Sequence, residues 1–400
     1  MQWAAIHWHI RTLTGTPDPL ALGGIGLARI LPVIVFSFVG GPVADTYNRR
    51  RIIAITQSSM ALVALALAYL TFTSQITIWH IYVLTALQAT AQAFDGPARQ
   101  AMVPNLVPKT DLPNAFSMTS IAQNTGAIVG PALGGIVIAT LGQGYTYYIN
   151  AISFLAVLLA LALMGAVSQD TRNAPGIHLG AAVEGFRFIF SKPIILSTML
   201  IDFVATFFAS AKTMLPIVAR DILQVNEIGY GWLVSAESIG SVATGVVISQ
   251  LPVLKKQGRI FLTAVAIFGL TTILFGLSHR IGPELVLFSL PGIPVTLAFL
   301  VAFLALAGSG AADTVSTIIR NTIRQLQTPD HIRGRMVSVN QIFFQGGPQL
   351  GEVEAGIAAS LFGVPAAIVS GGIGCILGAF LIVRKWPQLW RYGGTDPLAS

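Results

Sequence analysis

From residue 20 onward the chain is a succession of apolar runs, each about twenty residues long and divided by short polar breaks. A helix of that length, rising about 1.5 Å per residue, matches the roughly 30 Å hydrocarbon core of a bilayer. Strands of a membrane barrel would alternate polar and apolar at every second position, and these runs do not. The pattern therefore predicts helical spans at about 20–44, 52–73, 76–96, 114–141, 144–166, 194–219, 229–252, 260–278, 294–319, 337–362 and 365–383. Ahead of them, Met1 to Thr14 carries His7, His9 and Arg11 and is too short to cross. Met1 lacks the basic flank and small-residue cleavage site of a signal peptide.

Composition agrees with an all-α polytopic membrane protein. Of 400 residues, 54% are hydrophobic and 10% charged, against roughly 25% charged in soluble chains. The mean hydropathy is +0.73. The lipid bilayer is thus the first expected partner. The single Cys375 sits in an apolar run, which excludes a disulfide framework within the chain and reads as a small core residue.

The net charge of +7 has a topological meaning. Most basic residues fall on alternate connections: Arg49 to Arg51; Arg99 and Lys109; Arg172, Arg187 and Lys192; Lys255, Lys256 and Arg259; Arg320, Arg324, Arg333 and Arg335; Arg384, Lys385 and Arg391. The intervening connections are short or acidic, with Asp221, Glu227 and Glu284. The positive-inside rule then makes the six basic segments, and the C-terminus, cytoplasmic. Charge spread over six loops forms no single basic face, so no nucleic-acid partner is expected.

The longest polar connection, Ser168 to Pro193, divides the chain into an N-terminal half (1–167), a cytoplasmic linker (168–193), a C-terminal half (194–385) and a cytoplasmic tail (386–400). Within the linker, Ala181 to Phe190 is amphipathic and is expected along the cytoplasmic surface. A shift of 221 residues aligns Arg99 with Arg320, Pro108 with Pro329, Ser117 with Ser338, and Gly126, Gly130 and Gly135 with Gly347, Gly351 and Gly356. It also aligns Gly142 with Gly363, so the halves read as repeats. Gly126, Gly130 and Gly134 recur every four residues, as Gly347 and Gly351 do, giving flat faces for close helix packing.

Enzyme motifs are absent. The chain has no Gly-Lys dipeptide, no His-Glu-x-x-His and no Gly-x-Ser-x-Gly, and its histidines do not cluster with Cys375. Neither catalytic residues, nor a metal, nor a cofactor are expected. Ionisable residues inside the spans carry more information, because each costs roughly 2.5–3.5 kcal/mol on insertion scales. Arg29, Asp202, Glu237, Glu352 and Glu354 qualify. Asp202 lies about 13 Å inward from the start of its helix, Glu352 about 22 Å along its own, and Glu237 and Arg29 about 11–12 Å from the other side. Glu352 and Glu354 stand about 200° apart around a helix, so at most one faces a cavity. Carboxylates out of water exchange protons more readily in the working pH range, which is what proton coupling needs. The plainer alternative for each acid is a static ion pair or a buried hydrogen bond.

One stretch carries a family resemblance. Gly40-Gly41-Pro42-Val43-Ala44-Asp45-Thr46-Tyr47-Asn48-Arg49-Arg50-Arg51 reads as a charged loop between two apolar runs. It resembles the loop between the second and third helices of the major facilitator superfamily, Gly-x-x-x-Asp-x-x-Gly-Arg-Arg/Lys. Asn48 replaces the second glycine, a mild departure because Asn tolerates left-handed backbone. Phe94 to Pro104, Leu112 to Ala115 and Gly351 to Gly356 are similar to the branch of the enterobactin exporter and macrolide-efflux permeases.

The resemblance implies a major facilitator fold of two six-helix halves and a monomer in the bacterial inner membrane. It implies proton-driven export of a siderophore or hydrophobic drug-like molecule by alternating access, with protons and that small molecule as partners. Uptake, or a receptor or scaffold on the same fold, remains the alternative. Gly41, Asp45, Arg49 and Arg50 would form an inner gate with Arg99, Asp45 lying near the positive end of a helix beginning around Arg335 to Val337. The second and eleventh helices of such transporters pack across the halves, which predicts an ion pair of Arg29 with Glu352 or Glu354. Twelve helices are implied, so either most of the first is missing, through a late start site or a truncated gene model, or the N-terminal segment is interfacial.

Overall fold

The computed structural model describes residues 1–165, 186–251, 255–281, 285–290 and 293–394. Its principal helices there are α1 Gln2–Leu13, α2 Pro19–Thr46, α3 Arg49–Phe72, α4 Ile78–Met102, α5 Leu112–Leu141, α6 Gln143–Leu163, α7 Pro193–Phe208, α8 Glu227–Ser249, α9 Gln257–Leu277, α10 Leu297–Leu326, α11 Asp330–Phe362 and α12 Val364–Lys385. Helices α2 to α12 occupy the eleven apolar runs. Among the described residues nine helical stretches are long and apolar enough to cross a membrane. α4, with His80, Asp95 and Arg99, and α11, with Glu352 and Glu354, are too polar to be counted with them. Leucines such as Leu155 and Leu163 stay exposed, as they must on helices surrounded by lipid.

Two compact units form: Met1–Thr16 with Leu27–His178, and Pro17–Gly26 with Leu179–Ser400. In the first, α3 packs on α4 and α6. Its core includes Ala44, Ile53, Ala98, Met102 and Leu161. In the second, α9 packs on α10 and α12, the same pattern six helices later. The repeat extends to backbone detail. Gly142 and Gly363 join α5 to α6 and α11 to α12 at φ +88° and +84°, a conformation that favours glycine. Pro108 and Pro329 share φ/ψ of −57°/152° and −59°/148°.

Several expected boundaries shift. The charged loop shrinks to Tyr47 and Asn48, because α2 runs through Asp45 to Thr46. Asn48 is not left-handed: at φ −62°, ψ 111° it caps α3, its side chain accepting from Arg51 N. α11 begins at Asp330 rather than near Arg335. Ahead of α10, Val286–Leu290 and Ile293–Thr296 form an antiparallel hairpin (β1, β2) that helical periodicity gave no reason to expect. The span drawn over 194–219 is broken: α7 gives way to a 3-10 turn, Ser210–Met214, and then to a π turn, Val218–Ile222. Pro216 has no N–H for the carbonyl of Lys212, and its ring crowds that position.

The expected linker lies mostly outside the described residues. Its end, 186–191, is helical and sends Ile189 into a core with Ile195, Met199, Met336 and Val339, while Arg187 and Phe190 stay exposed. The N-terminal segment packs inside the first unit: α1 is buried against α4, α5 and α6.

Candidate functional site

The second unit holds a set of paired charges, three of them fully buried. Asp202 on α7 is 2% exposed, with Arg320 Nη1 2.9 Å from Oδ1 and Arg324 Nη2 3.5 Å from Oδ2. Arg324 also donates to Thr198 Oγ1 at 3.2 Å and to the Thr198 carbonyl at 3.1 Å. Arg320 continues to Ser316 Oγ at 3.1 Å and Asp313 Oδ1 at 3.3 Å. Asp313, Ser316, Arg320 and Arg324 recur at helical spacing, so α10 turns one polar stripe inward.

Arg320 and Arg324 are therefore not topological loop charges. α10 extends seven residues beyond the expected span, and both arginines are at least 97% buried. The repeat explains the difference from α4. Arg99 pairs with Asp95 one turn earlier, at 3.1 Å. The position equivalent to Asp95 is Ser316, which is neutral, so Arg320 draws its acid from another helix.

A second pair joins the break after α7 to α8. Lys212 Nζ lies 3.0 and 3.2 Å from the carboxylate oxygens of Glu237. Both line a small cavity with Thr271, Thr272, Ser309 and Phe268. Asp313 pairs with Arg320 and lies one turn after Ser309, which lines that cavity, so one face of α10 carries both clusters. Of the two neighbouring acids on α11, Glu352 is buried and Glu354 half-buried, as their angular separation requires. Glu352 faces Gly26 of α2, where a Cβ would meet the Glu352 Cβ at 2.8 Å. Arg29, one turn further along α2, is half-buried.

The first unit has its own buried acid. Asp95 accepts from Thr56 Oγ1 at 3.0 Å and Gln57 Nε2 at 2.8 Å besides pairing with Arg99. Asp45 and Gly41 lie in α2; the Asp45 side chain is outside the described residues. Arg49 reaches the carbonyls of Ala44 at 3.0 Å and Ala101 at 2.8 Å, at the ends of α2 and α4. Arg50 reaches Ala162 and Gly165, both at 3.3 Å, at the end of α6. These cations satisfy carbonyls that helix ends leave open, so their work exceeds topology.

The glycine series divides. Gly347 and Gly351 sit against Phe203, Thr206 and Phe207 of α7, and Gly130 and Gly134 against Met1, whereas Gly126 faces open space. The ionisable-residue screen missed Lys212, Asp313 and Asp95, although all three lie within the spans drawn from sequence. It also passed over the buried polar side of α1, where His9 Nδ1 lies 3.1 Å from the Tyr147 hydroxyl and Gln2 meets Gln88 at 2.7 Å.

Residues 1–389 match the family model described as transmembrane secretion effector, a major facilitator group. The chain belongs to that family. This secretion effector homologue is 28% identical over 359 residues to the multidrug efflux pump Tap of Mycolicibacterium fortuitum, covering 86% of this chain and 82% of that one. It is 25% identical over 365 residues to the enterobactin exporter EntS of Salmonella typhimurium, covering 90% and 83%. In fold it resembles a bacterial homologue of the lysosomal transporter Spinster in an inward-facing, occupied conformation (TM-score 0.70, 13% identity, 97% and 95% covered). The protein is thus a multi-pass member of a transporter superfamily.

Proposed function

We propose that this protein exports a siderophore or a hydrophobic drug-like molecule across the bacterial inner membrane, in exchange for protons and by alternating access. The observation that carries the reading is the set of paired charges in the second unit: Asp202 and Arg320 fully buried, Asp313 half-buried beside Arg320, and the half-buried Lys212–Glu237 pair lining a cavity. Charges out of water are costly unless paired, so a proton added to one carboxylate forces its partner to find another. Such a device links protonation to a change of packing. Similarity to Tap and to the enterobactin exporter supports efflux and the substrate class. The protein acts as a monomer with its C-terminus cytoplasmic, in keeping with the basic segments. Gly41, Asp45, Arg49, Arg50 and Arg99 serve the inner gate, and Arg29 pairs with Glu352 or Glu354 in one state of the cycle.

Accumulation of a siderophore or lipophilic dye in cells with and without the protein tests this. Expression lowers accumulation, and an uncoupler abolishes the difference. Higher accumulation on expression establishes uptake instead, and indifference to both protein and uncoupler defeats proton-driven export. Exchanging the charges of Arg29 and Glu352, or of Arg29 and Glu354, retains more transport than either single change; equal loss in all three for both exchanges removes the pair from the mechanism.

A further inference from the structure

Two basic segments that are far apart in sequence form one surface in the second unit. α9 and α12 run antiparallel in close contact: a Cβ on Gly269 would meet the Gly372 carbonyl at 2.8 Å, and one on Gly276 would meet Val369 at 2.8 Å. Gln257 lies twelve residues before Gly269, and Arg384 twelve after Gly372. At about 1.5 Å per residue both helices reach the same level, about 18 Å from the crossing. The basic ends, Lys255, Lys256 and Arg259 on one side and Arg384 and Lys385 on the other, emerge together. All five are exposed.

The chain after α12 then folds back across this end. Residues Gln388–Arg391 form a helical turn, and Tyr392 O accepts from Gly258 N at 3.1 Å. Leu389 is fully buried in the core of the unit, seated where Gly258 has no side chain to oppose it. The fold-back brings the exposed Arg391 to the same face and lays Trp390 beneath Arg259, 5.6 Å from guanidinium to ring. Lys385 stands 4.7 Å over Trp386. No Asp or Glu occurs in 255–281 or 364–394. Six exposed cations, two tryptophans and no acid therefore occupy one end of an apolar helix pair.

We propose that this face binds the headgroup of an anionic phospholipid. Topology explains the sign of the charges but requires neither their convergence nor a docked turn that holds them together. Indole rings prefer the headgroup level, and clustered Lys and Arg beside a span attract anionic lipid by about 1 kcal/mol each. The buried Leu389 fixes the tail turn, so the cations are placed before any lipid arrives and little ordering entropy opposes binding.

The test is native mass spectrometry of the full-length, detergent-solubilised protein titrated with phosphatidylglycerol or with phosphatidylcholine of equal chain length. Wild type retains phosphatidylglycerol preferentially. The triple variant Lys255→Gln/Lys256→Gln/Arg259→Gln loses that preference by up to roughly a hundred-fold, the value three such cations imply. Arg51→Gln, in the other unit, leaves it unchanged. Raising salt toward 1 M erases the preference in wild type, which keeps the test decisive if the triple variant is unstable. An absent preference, a preference that survives the triple variant or high salt, or competition by inorganic phosphate at equal concentration overturns the proposal.

Discussion

Replacing Asp202 by Asn removes one negative charge from a site that is 2% exposed and leaves its shape nearly unchanged. Arg320 keeps Asp313 at 3.3 Å, but Arg324 loses the carboxylate at 3.5 Å and retains only the hydroxyl and carbonyl of Thr198. A buried guanidinium without its counter-charge costs about 3–5 kcal/mol. For a unit of roughly two hundred residues this lowers the unfolding midpoint by on the order of 10 °C. The double variant Asp202→Leu/Arg324→Leu removes one charge of each sign and recovers most of the loss, because apolar replacement of a buried pair is close to neutral. Thermal unfolding of the purified protein in detergent, followed by intrinsic fluorescence, reads both. A single variant within about 1 °C of wild type, or a double variant no better than the single, refutes the reasoning: water would then reach the pair and screen it.

The other expectations concern separate parts of the molecule. Arg49→Gln loses two bonds to helix-end carbonyls and is destabilised by about 1.5–3 kcal/mol in thermal unfolding, whereas the exposed Arg51→Gln stays within about 0.5 kcal/mol. Gly351→Ala drives a methyl into the Phe207 carbonyl and lowers stability by about 1–3 kcal/mol; Gly126→Ala, with open space around it, changes little. Lys212→Met leaves Glu237 without its 3.0 Å partner and shifts the pH dependence of dye efflux, while Lys212→Met/Glu237→Gln is efflux-competent only without that dependence. A pH profile of efflux identical in all three proteins removes the pair from coupling.

Much of this protein is written along the chain, because a bilayer imposes a simple rule. Backbone polar groups must be satisfied within each crossing segment, so length and hydropathy alone locate the helices. The eleven runs became α2 to α12, and the aligned Gly142 and Gly363, or Pro108 and Pro329, took the same backbone geometry in both units. The cost of charge in hydrocarbon likewise marked Asp202, Glu237 and Glu352 as residues needing an explanation.

Partners were not legible, since they depend on which helix faces which. Arg320 has the sequence surroundings of a loop cation, and only the packing of α10 on α7 makes it the counter-charge of Asp202. Arg49 and Arg50 read as topological or gate charges along the chain, and only the packing of α4 and α6 brings terminal carbonyls within their reach. Lys255 and Arg391 stand 136 positions apart, and the contact of Gly258 with Leu389 puts them on one face. Hydropathy is a property of each segment by itself, and it fixed what crosses the membrane. Pairing energies act between segments and depend on their separation and burial, so only the folded bundle decided which charges meet.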